Sequence, residues 1–159
     1  MADINDVADY LIVKMDEGGA PPSIHKLNKL LYYVQGWCLA VHDRPMFDAR
    51  FQAWVHGPIN TDVFDRFTAW DRCLYSIVAR EDVREGFAFD ALADVDRRLV
   101  DDVLESYGMY SGTDLQDMTR AEPAWIKARG KLPRAARCDV ELDETLMRDY
   151  FRGRREQRA

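Results

Sequence analysis

Long apolar runs are absent. The longest, from Val34 to Val41, is broken by Gln35 and Gly36 and falls far short of the roughly 20 residues a membrane-spanning helix needs. The N-terminus lacks the basic start and apolar stretch of a secretory leader, so a cytoplasmic location is expected. Cysteine is scarce: Cys38, Cys73 and Cys138 are odd in number and widely spaced, with no CxxC among them. That pattern excludes a disulfide framework and a zinc-ribbon spacing, and leaves free thiols in a reducing compartment as the expectation. His25, His42 and His56 have no metalloprotease spacing. Gly18-Gly19 is not followed by Lys-Ser or Lys-Thr, and no Gly-x-Ser-x-Gly elbow occurs. No metal, cofactor or catalytic set is therefore expected. An excess of positive charge is also missing. The 22 Lys and Arg are outnumbered by 28 Asp and Glu, for a net charge of −6, which argues against a nucleic-acid partner. Read in long windows, only the stretch after Met147 is basic, with five Arg against Asp149 and Glu156.

What is present suffices for one core. The 159 residues are 47% hydrophobic and 31% charged, too apolar for a disordered chain and long enough to fold without staples. No repeat or linker divides them. One domain over residues 1–151 is expected, with residues 152–159 forming a basic, frayed tail.

The periodicity is mostly helical. Ile4, Val7, Ala8, Leu11 and Met15 make one stripe, stopped by Gly18-Gly19 and Pro21-Pro22. Ser23 is placed to cap a long segment to about His42, whose stripe is Leu27, Leu30, Leu31, Val34, Cys38 and Val41, widened by Tyr32, Tyr33 and Trp37. A helix apolar over so much of its circumference belongs at the centre. Gly36 inside it costs roughly 1 kcal/mol against Ala, which close packing of another backbone would explain. Phe51, Ala53 and Val55 alternate with polar or larger residues and predict a short strand, ended by Gly57-Pro58. Asn60 is placed to cap a helix to about Trp70. Leu74, Ile77 and Val78, and then Phe87 and Phe89, predict two short strands. Asp90 is placed to cap a helix carrying Leu92, Val95, Leu99, Val103, Leu104 and Tyr107, closed by Gly108. Thr113 and Gln116 fit a capping box, Pro123 can open a helix before Trp125, and Leu142, Leu146 and Tyr150 mark a last helix. The expected fold is mainly α: a compact helical domain around a central helix at about 23–42, with a small β element near 51–55.

The carboxylates of the 92–107 helix fall mostly opposite its apolar stripe and read as a solvated acidic face. His25 and His42, at helix ends, read as surface or capping residues. His56, between Trp54 and the Gly57-Pro58 bend, reads either as a structural corner or as part of a functional loop.

The run Lys26-Leu27-Asn28-Lys29-Leu30-Leu31-Tyr32-Tyr33-Val34-Gln35-Gly36-Trp37 resembles the signature helix of the Panacea-domain family, the SocA-like antitoxins, also known as phage-associated proteins. Pro45-Met46-Phe47, Ala53-Trp54-Val55-His56-Gly57-Pro58-Ile59, Val103-Leu104-Glu105-Ser106-Tyr107-Gly108 and Leu115-Gln116-Asp117-Met118-Thr119 with Glu122-Pro123-Ala124-Trp125 continue the resemblance in order, over roughly residues 5–151. Two departures stand out: Arg120 replaces a common His, and Ala124 separates Pro123 from Trp125. The resemblance implies an antitoxin without enzymatic activity, which neutralises a cognate protein toxin by direct binding or delivers it to an AAA+ protease. An acidic antitoxin would suit a basic toxin. Among the matching residues, Lys26, Lys29, Tyr33, Trp54, His56 and Pro58 are polar, amphipathic or loop-borne. Lys26, Lys29 and Tyr33 line one side of a helix. A partner-binding patch forms if the 54–58 loop packs over that side. Two rival readings belong to other classes: a small hydrolase or transferase using His56 with Asp62 or Asp65, and a DNA-binding autoregulator using the arginine tail.

Overall fold

The computed structural model describes residues 1–158, which form seven helices and one two-stranded sheet. Helix α1 (Ile4–Glu17) starts at Asp3, whose side chain accepts from the Asn5 amide at 2.7 Å, and stops at Gly18. Helix α2 (Ile24–His42) starts at Ser23, whose hydroxyl accepts from the Lys26 amide. Asp43 ends it in the left-handed region. As its sequence requires, α2 is the axis of the fold: Leu27, Leu30, Leu31, Tyr32, Tyr33 and Val34 have no exposed surface. Its last turn reaches solvent, so Val41 lies exposed rather than in the core stripe.

Strands β1 (Gln52–Trp54) and β2 (Gly57–Ile59) pair antiparallel, Ala53 opposite Pro58. Gly57 and Pro58 thus open a return strand instead of ending the element. The turn is Val55-His56, and Gly57 beside it has φ +92°, which glycine adopts without strain. Residues 140–142 run along the outer edge of β1, with Ala53 N donating to Val140 O at 2.9 Å and Leu142 N to Phe51 O at 2.8 Å.

Helix α3 (Thr61–Thr68) begins at Asn60, as expected, with the Asn60 side chain accepting from the Val63 amide. The two strands expected between 72 and 89 do not form. That segment is a loop with 3-10 turns at Arg80–Asp82 and Phe89–Ala91. Its carbonyls serve the start of α2 instead: Ile24 N donates to Ser76 O and His25 N to Leu74 O. The orphan donors of a helix start have taken the acceptors a sheet would have used. Helix α4 (Asp94–Tyr107) starts after Ala93, and Asp90 lies in the preceding turn. Asp96 is buried against Arg44 at 2.7 Å, and Asp101 accepts from the Tyr10 hydroxyl, so part of the acidic face points inward.

Helix α5 (Gly112–Arg120) is capped by a box between Ser111 and Asp114, displacing the expected Thr113–Gln116 pair and freeing Gln116 for another role. Helix α6 (Pro123–Arg129) opens on its proline. Helix α7 (Glu144–Arg158) extends through the stretch expected to fray, anchored by Arg152, which donates to Ala40 O and pairs with Asp43 at 2.7 Å. Residue 159 of that tail lies outside the described residues. Gly36 faces the ring of Phe151 on α7, a side chain rather than another backbone. Cys38 and Cys138 are buried, Cys73 is exposed, and all three are free. Among the described residues no helix is long and apolar enough to cross a membrane.

Candidate partner-binding site

The hairpin β1–β2 packs over α2 at Lys29, while Tyr33 is stacked on Tyr107 of α4 and Lys26 reaches the end of that helix. The effect is to bury much of the expected patch. Lys29 is fully enclosed, its Nζ donating to Pro58 O at 3.4 Å. A Cβ on Gly57 would lie 2.8 Å from Lys29 Cε and 2.9 Å from Thr119 Oγ1, so the turn closes directly over the lysine. Burial holds the Lys29 amine well below the usual lysine range. Tyr33 is also fully buried, and its hydroxyl donates to Glu122 Oε2 at 2.8 Å. Pro58 is buried within β2. These three residues are buried and offer no surface to a partner.

Lys26, Trp54 and His56 are half-buried and remain accessible. Lys26 Nζ donates to Gly108 O at 2.6 Å, closing the carboxyl end of α4 with a positive charge. Trp54 stacks edge-on against Phe64 and its indole donates to Gln52. His56 shares a 3.2 Å hydrogen bond between Nδ1 and the Tyr75 hydroxyl. Neither Asp62 nor Asp65 is bonded to it. Its pKa is lowered by burial and by the charges of Lys29 and Arg120, the opposite of what a carboxylate partner produces.

Several participants carry no local signal in the sequence. His25, expected as a surface or capping residue, is buried with Nε2 within 3.1 Å of both His56 O and Gln116 Oε1. It ties the hairpin turn to α5, and burial, with the Lys29 charge, pushes its pKa down to about 4. Glu122 is buried and receives both the Tyr32 and Tyr33 hydroxyls, at 2.6 and 2.8 Å. Burial pushes its pKa up to about 7 despite those donors. Arg129 is buried too, donating to the carbonyls of Ala53, Pro133, Arg134 and Ala136. Among the described residues no His, Cys, Asp and Glu cluster is arranged to hold a metal.

A family model described as antitoxin SocA-like, Panacea domain, matches residues 27–126, from the first turn of α2 into α6. Antitoxin SocA of Caulobacter vibrioides (strain NA1000 / CB15N) is 36% identical over 67 residues, which cover 42% of this chain and 36% of that protein. The match therefore spans little more than a third of the relative's length. No solved structure matches.

Proposed function

The chain belongs to the antitoxin SocA-like, Panacea-domain family, and from that membership we propose that it is the antitoxin of a toxin–antitoxin pair, neutralising a cognate protein toxin by direct binding. The carrying observation is the family match, which runs across the central helix, the hairpin that bears His56 and helices α4 and α5 into α6. The role is non-enzymatic. His56 is bonded to Tyr75 and crowded by cations, which supports a contact residue over a general base. Delivery of the bound toxin to an AAA+ protease is the second form such neutralisation takes.

The test is co-expression with the product of the adjacent reading frame. Growth rescue together with a co-purifying complex is expected, and His56→Gln should retain protection. Rescue that disappears in cells lacking the AAA+ unfoldase selects delivery. Absence of rescue, or rescue with no complex that persists in cells lacking the unfoldase, overturns the reading.

A further inference from the structure

The acidic balance of the whole chain conceals a local reversal. Between Arg120 and Arg137 stand Arg120, Lys127, Arg129, Lys131, Arg134 and Arg137 against one acid, Glu122. That acid is buried beneath Tyr32 and Tyr33 and neutralises nothing at the surface. Elsewhere, Arg44, Arg66, Arg72, Arg84 and Arg152 each hold a carboxylate at 2.5–2.7 Å. Among the described residues, no ion pair involves any cation of the 120–137 run.

The fold then presses these cations together. The guanidinium groups of Arg120 and Arg129 lie 5.2 and 4.9 Å from the centre of the same Trp125 ring. Arg120 Nε is buried without an acceptor. Burial weighs most heavily on the Arg120 charge, Arg134 and Arg129 oppose it as well, and Asp117, one turn back, eases it without pairing with it. Arg129 spends its donors on the carbonyls of the 133–136 loop and so fixes the chain that carries Arg134 and Arg137, both exposed. Arg137 lines a groove of about 320 Å³ with Trp54, Val55, His56, Ala135 and Cys138. Beside it Val140 follows the edge of β1 with half its surface exposed.

We propose that this face, between the Val55-His56 turn and the 133–138 loop, docks an acidic segment of a protein partner, with carboxylates on Arg120, Arg134 and Arg137 and an apolar side chain in the groove beside Trp54. That the partner is the toxin rests on the antitoxin reading. A cationic rim around an aromatic anchor suits a short acidic peptide. It suits a nucleic acid less well. Outside the run the chain carries 16 basic against 27 acidic side chains, and a long polyanion would meet that repulsion. The sign of the complementarity is thus the reverse of an acidic surface receiving a basic toxin.

The test uses the full chain and fluorescence anisotropy. The probes are a short labelled glutamate peptide with one central Leu, the same peptide with Lys for Glu, and a labelled single-stranded oligonucleotide. The Glu peptide should bind, weaken with added salt, and lose about tenfold in affinity in Arg134→Glu/Arg137→Glu. Both substituted residues are exposed, so the variant should melt as the wild type does. Arg98→Glu, in the groove between α2 and α4, should bind as the wild type does. Equal binding of the Lys peptide, an unchanged affinity in the double variant, or tighter binding of the oligonucleotide overturns the proposal. Neutralisation of the adjacent gene's product is scored separately. Absence of protection by the wild type sinks the antitoxin reading, while the anisotropy series still decides the docking face.

Discussion

The Nζ of Lys29 reaches the carbonyl oxygen of Pro58 at 3.4 Å inside the protein, and no carboxylate pairs with it among the described residues. Burial lowers its pKa well below the ordinary 10.5. Between the lowered value and 10.5 the unfolded chain binds a proton that the native chain does not. Lys29 therefore costs stability that is recovered as pH rises through that window. Lys29→Met removes the cost while filling similar space. Urea unfolding from about pH 6 to about pH 9.5 should show the variant above wild type, with the gap narrowing as pH rises. A variant below wild type at every pH would mean that the amine's hydrogen bond outweighs its desolvation.

Glu122 and His25 pull stability in opposite directions over nearly the same pH range. Glu122 rises from 4.5 to about 7, so between those values the native state keeps a proton the unfolded state has lost. Its contribution is complete below 4.5 and fades as pH rises to 7. His25 falls from 6.5 to about 4, so between those values the unfolded state holds the extra proton and stability rises with pH. The two contributions, each of order 2–3 kcal/mol, largely cancel from about pH 4.5 to 6.5. Relative to wild type, Glu122→Gln should gain stability as pH rises through this window, and His25→Gln should lose it. Parallel stability profiles in all three proteins would contradict both assignments.

Gly36 has no room for a side chain. A Cβ there would lie 2.1 Å from Phe151 Cε2, with Phe151 itself fully buried. Gly36→Ala gains roughly 1 kcal/mol of helix propensity but forces the ring away, an overpacking cost of about 1–3 kcal/mol or more. A net loss of stability is expected, and it should shrink in a Phe151→Leu background. A double-mutant cycle with no coupling between the two positions would place the strain elsewhere.

Much of the scaffold was legible because its signals are local. Ser23, Asn60 and Pro123 open helices through bonds or backbone angles that a few neighbouring residues decide. The stripe of α2 announced its centrality, and the resemblance carried by that helix agrees with the matched family. Failures came where a distant partner decides. The apolar residues Leu74, Ile77 and Val78 read as a short strand, but the carbonyls of Leu74 and Ser76 are taken by the start of α2. Thr113 and Gln116 fit a box, but Ser111 and Asp114 fit one too, and His25 holds Gln116. In the candidate site, Trp54 and His56 stand out in the sequence as an aromatic and an imidazole beside a bend and stay accessible, whereas Lys29 lies enclosed beneath the hairpin and Tyr33 is buried against Tyr107 and Glu122. Nothing near Glu122 in sequence marks it as buried, since Tyr32 and Tyr33 are about 90 residues away. The cations of 120–137 were visible throughout, hidden only by the acidic residues on either side.

Arg129 is the residue on which the cationic face depends without forming its surface. It is 4% exposed, and its Nη1 donates to Ala53 O at 2.8 Å. Its Nη2 lies 3.0 Å from Pro133 O, 3.2 Å from Arg134 O and 2.5 Å from Ala136 O, so one planar group ties the 133–136 loop to β1. Lysine keeps the charge but replaces the fork with a single ammonium that cannot span both directions. Arg129→Lys should therefore lose about 2–4 kcal/mol of stability through unsatisfied buried carbonyls. Conditions that keep the variant folded should still show faster hydrogen exchange at the Ala136 amide, which donates to Pro133 O in the native loop. Glutamate-peptide binding should weaken in step with that exchange, because Arg134 and Arg137 lose their fixed positions while their charges remain. Unchanged exchange with weakened binding would instead assign Arg129 a direct contact with the partner.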